Sequence, residues 1–155
     1  MFASPMALAK DKVVLSLQQD PASEEGLEPS CVALQLGIGL LMSGKADVTI
    51  FATLDGVYIG DEGTYGYDPI NDEPPGPTGT PICDALTPPP NSVLVEKPLG
   101  DILVGFLNAG GEILLCPLCY AVRQEPERFE KLDAPRIYVA SPIPLLLEAN
   151  KVIDY

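Results

Sequence analysis

The chemistry open to this chain is set by four cysteines, Cys31, Cys83, Cys116 and Cys119, and by the complete absence of histidine. Without an imidazole there is no His-based triad, no histidine general base and no His-ligated metal. Cysteine, carboxylate, tyrosine, lysine and backbone dipoles remain. Two of the cysteines form a Cys-x-x-Cys pair, Cys116-Pro117-Leu118-Cys119, directly after the apolar run Glu112–Leu115 (EILL). The run predicts a strand, and Pro117 suits the first position of a following helix. A thiol at such a junction faces unpaired backbone N–H groups, which favour its thiolate and draw its pKa below the ~8.5 of free cysteine. Cys119 falls one helical turn on, along the same face, and Arg123 one turn further, placed to lend a positive charge. Asp55 and Gly56 predict a turn at the carboxyl end of another strand, where they are candidates to support the Cys116 pocket.

Three uses of the thiol pair follow from its residues. A dithiol oxidoreductase is one, since Cys-x-x-Cys at a strand-to-helix junction suits reversible disulfide chemistry. A zinc site is another, but one such pair is half a ligand set, and only Cys31, Cys83 or carboxylates are left to complete it. No metal and no cofactor are expected. The third is a persulfide relay, in which the Cys116 thiolate takes sulfane sulfur from a donor and passes it on. Cys31, on an apolar helix, reads as a core residue. Cys83, in an acidic Pro-rich stretch, reads as incidental, with a disulfide or an approach to Cys116 as the alternatives.

The elements that must position these residues come from periodicity. Lys12–Gln18 (KVVLSLQ), Ala46–Thr53 (ADVTIFAT), Glu112–Leu115, Arg136–Ala140 (RIYVA) and Val152–Ile153 read as strands. Between them fall a helix from a Ser30 cap to about Met42, apolar nearly all round, and a helix after Pro98 with the stripe Leu99, Ile102, Leu103, Phe106, Leu107. A short exposed helix is expected over Pro126–Leu132, and a last one from Ser141-Pro142 through Leu147. Strands alternating with helices predict a parallel sheet covered on both faces. From Gly60 to Lys97 the composition shifts to eight prolines, seven acidic residues and one lysine. That stretch reads as an insertion that is neither sheet interior nor long helix. Its Tyr65 and Tyr67, with Tyr58 just before it, are expected to pin the loop by packing.

The 155 residues suit a single domain, 1–155, with the insertion at about 60–97. Nine basic against 22 acidic residues give a net charge of −13. So acidic a surface repels phosphate backbones and anionic lipid, so neither nucleic acid nor membrane is an expected partner. No stretch reaches the ~20 apolar residues of a spanning helix. Met1–Leu8 is too short for the apolar core of a secretory signal, so a cytoplasmic location is expected.

The segments KVVLSLQ at Lys12, GKADVTIFATLDGV across Gly44–Val57, NAGGEILLCPLCYAVR across Asn108–Arg123 and EANKVIDY across Glu148–Tyr155 together resemble the DsrE/DsrF-like superfamily. The resemblance lies in the order and spacing of these motifs and spans the chain outside Met1–Asp11 and Gly60–Lys97. It implies a three-layer α/β/α sandwich on a five-stranded, mainly parallel sheet. It also implies a homo-oligomer, a trimer or hexamer being the assemblies considered, and a sulfur carrier or sulfurtransferase role with Cys116 as the carrying residue. Cys119 is then a resolving or second carrier thiol, and a sulfur donor or acceptor protein is the expected partner. The competing expectation is a non-catalytic oligomeric binding or scaffold subunit, whose insertion makes an interface and whose cysteines are structural.

Overall fold

A computed structural model describes residues 9–72, 80–124 and 129–155. Five parallel strands form the central sheet in the order β6-β5-β2-β1-β7: β1 (Asp11–Leu17), β2 (Ala46–Ala52), β5 (Glu112–Leu115), β6 (Ile137–Val139) and β7 (Lys151–Asp154). All five are strands expected from the sequence, within a residue or two at their ends. The register pairs Val13, Leu15 and Leu17 with Val48, Ile50 and Ala52, and Ile50 and Ala52 with Ile113 and Leu115. These side chains fill one face and are at most 4% exposed. Burial of β-branched and aliphatic residues in consecutive parallel strands is what drives this face closed.

That face is covered by α1 (Glu24–Met42) and α3 (Leu99–Asn108), which pack on each other. The steps β1 to β2, β2 to β5 and β5 to β6 all move the same way across the sheet, so right-handed crossovers put α1 and α3 on one side. The return from β6 to the far edge reverses direction and carries α5 (Ile143–Glu148) to the other side, against β1. Three layers result. All five residues of the α3 stripe are buried, and Gly110, at φ +101°, ends the segment in a conformation that suits glycine.

Several expectations need correction. The first helix starts at Glu24, not Ser30. Its cap is Ser23, whose Oγ accepts from the Gly26 N–H at 3.0 Å. Ser30 instead lies buried inside the helix and donates to the Gly26 carbonyl at 2.7 Å. Pro29 is thus internal, the sixth helical residue, and supplies no N–H to the Glu25 carbonyl. The helix proposed over Pro126–Leu132 is absent where it is described. Residues 125–128 lie outside the described residues, and the rest runs extended: Lys131 bridges Asp61, and the Leu132 N–H donates to the Gly60 carbonyl at 2.8 Å.

The insertion is more regular than its composition suggests. It follows a 3-10 turn (Leu54–Gly60), begins with α2 (Glu62–Tyr65), and later forms an antiparallel ribbon of β3 (Ile82–Leu86) and β4 (Leu94–Pro98). The prolines Pro88, Pro89 and Pro90 fall in the loop between the two strands, where no ladder hydrogen bond is lost. The ribbon stays outside the main sheet. A disulfide joins Cys83 of β3 to Cys31 of α1 across 52 residues, with Cα atoms 5.7 Å apart. Cys83 is therefore not incidental, and Cys31 is a core residue that is also bonded. Tyr65 pins the insertion as expected: it is fully buried and donates to the Ile59 carbonyl at 2.6 Å.

Candidate functional site

Cys116 sits where the sheet ends. Its N–H still pairs with β2, donating to the Ala52 carbonyl at 2.9 Å, while its own carbonyl already accepts from Tyr120 N–H at 2.9 Å. It is the cap of α4 (Pro117–Arg123), with Pro117 at the first helical position. Cys119 lies one turn along, and both thiols are free and half-buried. The placement expected from the Cys-x-x-Cys spacing is the placement found.

The two thiols differ. Burial works to raise the pKa of Cys116, but hydrogen bonds from the Cys119 thiol and from the backbone N–H groups of Cys119 and Leu118, with the charge of Arg123, bring it below the ordinary thiol value. Cys119 is raised, first by burial and then because its proton is held in the bond to Cys116; the Leu54 N–H on its sulfur pulls the other way. Cys116 is the better nucleophile and Cys119 the proton-bearing partner.

Arg123 reaches across from α4 to the turn after β2. Its Nε and Nη2 donate to Asp55 Oδ1 at 2.9 and 2.7 Å, and its Nη1 donates to the Cys119 carbonyl at 3.2 Å. Asp55 therefore supports the pocket by holding Arg123 and does not meet the thiols directly. Gly56 is fixed by space. A β-carbon there would lie 2.1 Å from the Leu17 carbonyl oxygen, so only glycine lets the turn press onto the end of β1. Its N–H closes the turn on the Thr53 carbonyl at 2.8 Å.

Three contributors lie outside the residues singled out from the sequence. Leu54 has φ +49°, a left-handed conformation uncommon for a leucine, and in this pose its N–H meets the Cys119 sulfur. Tyr120 meets Phe129 edge-on, with ring centres 5.0 Å apart, and Phe129 leans on Tyr58 at 5.8 Å. This aromatic group ties α4 to the turn and to the strap that follows. Nothing in the local sequence signals it, because Tyr58, Tyr120 and Phe129 come from three separate segments.

Among the described residues no group of three or more Cys, Asp or Glu side chains converges as a metal would require. Cys31 and Cys83 are bonded to each other and so cannot complete a ligand set for the pair. A cleft of about 420 Å³ lies at the opposite, amino-terminal end of the strands, beside Lys12, Asp47, Glu112, Arg136 and Glu148. Its charges pair among themselves, Lys12 with Glu148 and Arg136 with Glu112, and it holds no thiol. The free thiol pair lies apart from this cleft, at the carboxyl end of the sheet.

The fold and site together define an α/β protein, a three-layer sandwich on a five-stranded parallel sheet with a vicinal thiol pair at the carboxyl end of that sheet. The ychN protein of E. coli is a solved counterpart in fold: the two superpose with a TM-score of 0.60 at 17% identity, over 94% of this chain and 99% of that one. No protein-family profile matches the chain, and no curated protein matches it by sequence. No described helix is long and apolar enough to cross a membrane.

Proposed function

We propose that this protein is a sulfur carrier of sulfurtransferase type, which takes up sulfane sulfur as a persulfide on Cys116. The observation that supports this reading above the others is the placement of a free, half-exposed Cys116 at the head of α4, one turn from a second free thiol, Cys119, with Arg123 on the same helix. A thiolate attacks the outer sulfur of a donor persulfide, and the donor thiol leaves. Arg123 adds positive charge beside the sulfur that becomes anionic. The exposed Leu54, Leu118 and Val122 give the site an apolar rim against which a donor or acceptor protein can rest. A homo-oligomer belongs to the same proposal, whereas the Cys31–Cys83 disulfide weighs against the reducing cytoplasmic setting expected from the sequence. The exposed Ile143, Leu146 and Leu147 of α5 are apolar surface that a second copy would cover.

The test is to incubate the reduced protein with cysteine persulfide and weigh it intact, using wild type, Cys116→Ser and Cys119→Ser. One added sulfur atom on Cys119→Ser, absent from Cys116→Ser, is the expected result. No adduct on any form, with thiols inert to iodoacetamide until unfolding, would reject the reading.

A second reading is the non-catalytic scaffold subunit. It draws on the β3–β4 ribbon, which is bonded to α1 yet leaves Leu86, Val93 and Leu94 more than half exposed, as an interface would. Inert thiols in the same experiment would bring it forward.

A further inference from the structure

A carrier needs one thiol, and this site has two in contact. Cys116 and Cys119 stand one helical turn apart, a spacing of about 5–6 Å between β-carbons. A disulfide holds its β-carbons about 3.5–4.5 Å apart, so closing one here draws the first turn of α4 in by about 1–2 Å. The turn that holds Leu54, at φ +49°, packs against α4 and steadies the helix that bears Cys119. The other two cysteines are already joined and buried, so they do not compete for this exchange.

Resting on the carrier reading, we infer that the protein reduces the persulfide it accepts: Cys119 attacks the loaded Cys116 and sulfur leaves as hydrosulfide. The steps balance. A donor persulfide gives its outer sulfur to the Cys116 thiolate and departs as a thiolate, leaving Cys116 Sγ bonded to an anionic sulfur. Cys119 passes its proton to that outer sulfur, and the Cys119 thiolate attacks Cys116 Sγ. The bond from Cys116 Sγ to the outer sulfur breaks, and its electron pair leaves with the sulfur as HS⁻. Two electrons have moved from the thiol pair to the sulfane sulfur, and the pair is left as a Cys116–Cys119 disulfide. An external dithiol, oxidised in turn to its own disulfide, restores both thiols. A partner supplying reducing equivalents is thus a dithiol protein or small dithiol, in addition to the sulfur donor.

The experiment follows the loaded sulfur through a single turnover. Protein treated with cysteine persulfide is desalted under anaerobic conditions without reductant. Released sulfide is trapped with monobromobimane while the intact mass is followed. Wild type is expected to release one sulfide for each sulfur loaded and to end lighter than the starting protein by two hydrogens, with Cys116 and Cys119 linked in the peptide map. Cys119→Ser and Cys119→Ala, at a half-exposed position that tolerates both, are expected to keep the added sulfur, with sulfide release slowed about a hundredfold or more by loss of the adjacent nucleophile. Equal retention by wild type and both variants overturns this inference and leaves the carrier reading standing. Equal release from all of them also overturns it, since Cys119 would then have no part. Failure of every form to load rejects the carrier reading, and this inference with it.

Discussion

Arg123 binds one oxygen of Asp55 with two of its nitrogens, 2.9 and 2.7 Å away, and so fastens the helix bearing both thiols to the turn that ends β2. Its third contact, to the Cys119 carbonyl, puts the guanidinium at the last turn of α4, where a cation is favoured. The Asp55 side chain is 58% exposed, so solvent screens the pair and its stabilising effect is about 1 kcal/mol or less. The larger effect is on reactivity. Arg123→Ala is expected to raise the pH midpoint of Cys116 alkylation and leave the thermal midpoint within a few degrees of wild type. Asp55→Asn, which keeps an oxygen for the guanidinium, is expected to sit between them. An unchanged alkylation profile in Arg123→Ala would show that this charge does not reach the sulfur.

The hydrogen bond between the thiols is a second handle. It lowers Cys116 and raises Cys119, so the pair titrates in two steps that belong to both residues. In Cys119→Ala the donor is gone and burial acts on Cys116 less opposed, so its midpoint is expected to move up. Iodoacetamide modification at neutral pH should then slow several-fold. Cys119→Ser, with a hydroxyl still able to donate, is expected to retain part of the shift. A rate–pH curve for Cys116 that is the same in all three proteins would remove Cys119 from the account.

The strands were legible because both faces of a central parallel strand are buried, and unbroken runs such as Val13–Leu15 announce this. The thiol pair was legible for a local reason, since strand, proline and Cys-x-x-Cys are contiguous. What escaped the sequence is non-local. Cys31 and Cys83 meet only because a ribbon 52 residues on lies against α1. Phe129–Leu132 has helical composition, yet its backbone is taken by lateral bonds to Gly60–Glu62. Ser30 has the chemistry of a cap, but Ser23 stands after Asp20-Pro21 and captures the role earlier. Leu54 gives no signal, because a positive φ is uncommon for leucine and no residue type at that position marks it.

Asp61 shows how that lateral strap depends on charge. Its side chain is 95% hidden (5% exposed) and one oxygen, Oδ1, accepts from the Gly63 and Glu130 N–H groups at 3.2 and 2.9 Å. Burial raises its pKa above the ordinary 3.8 more than those two bonds lower it, and neighbouring Glu130 and Asp20 add to the rise. A carboxyl whose folded pKa is raised binds its proton more tightly when folded, so its ionisation penalty is absent below 3.8 and complete above the folded value. Stability relative to Asp61→Asn is therefore expected to fall as pH rises from 3.8 through that value, then level off. Asp61→Ala leaves two N–H groups without acceptors and is expected to cost about 1–3 kcal/mol at neutral pH. Urea titrations of the three proteins at pH 3.5 to 7 check both statements. A difference between wild type and Asp61→Asn that does not vary with pH would remove the burial argument.

The disulfide gives the last prediction, and it separates the ribbon from the sheet. Cys31 and Cys83 are 5% and 1% exposed, so the bond is inside the packing between α1 and β3 and closes a loop of about 50 residues. Cross-links of that span stabilise by about 2–4 kcal/mol, mostly by restricting the unfolded chain. Val13, Leu15, Ile50, Ile113 and Phe106 form the core on the sheet and α3, and the ribbon adds Cys83 and Ala85 to the same cluster. In the double variant Cys31→Ala, Cys83→Ala the urea midpoint is expected to drop, while amide exchange quickens first in Ile82–Leu86 and Leu94–Pro98 and least in β1, β2 and β5. The same bond sets the thiol count. Unfolded but unreduced protein should expose two thiols, Cys116 and Cys119, and reduced protein four. Four thiols without reduction would mean that the ribbon is held by packing and by the single Gln35 bond to the Asp84 carbonyl, 2.8 Å long, and that the variant should then lose little.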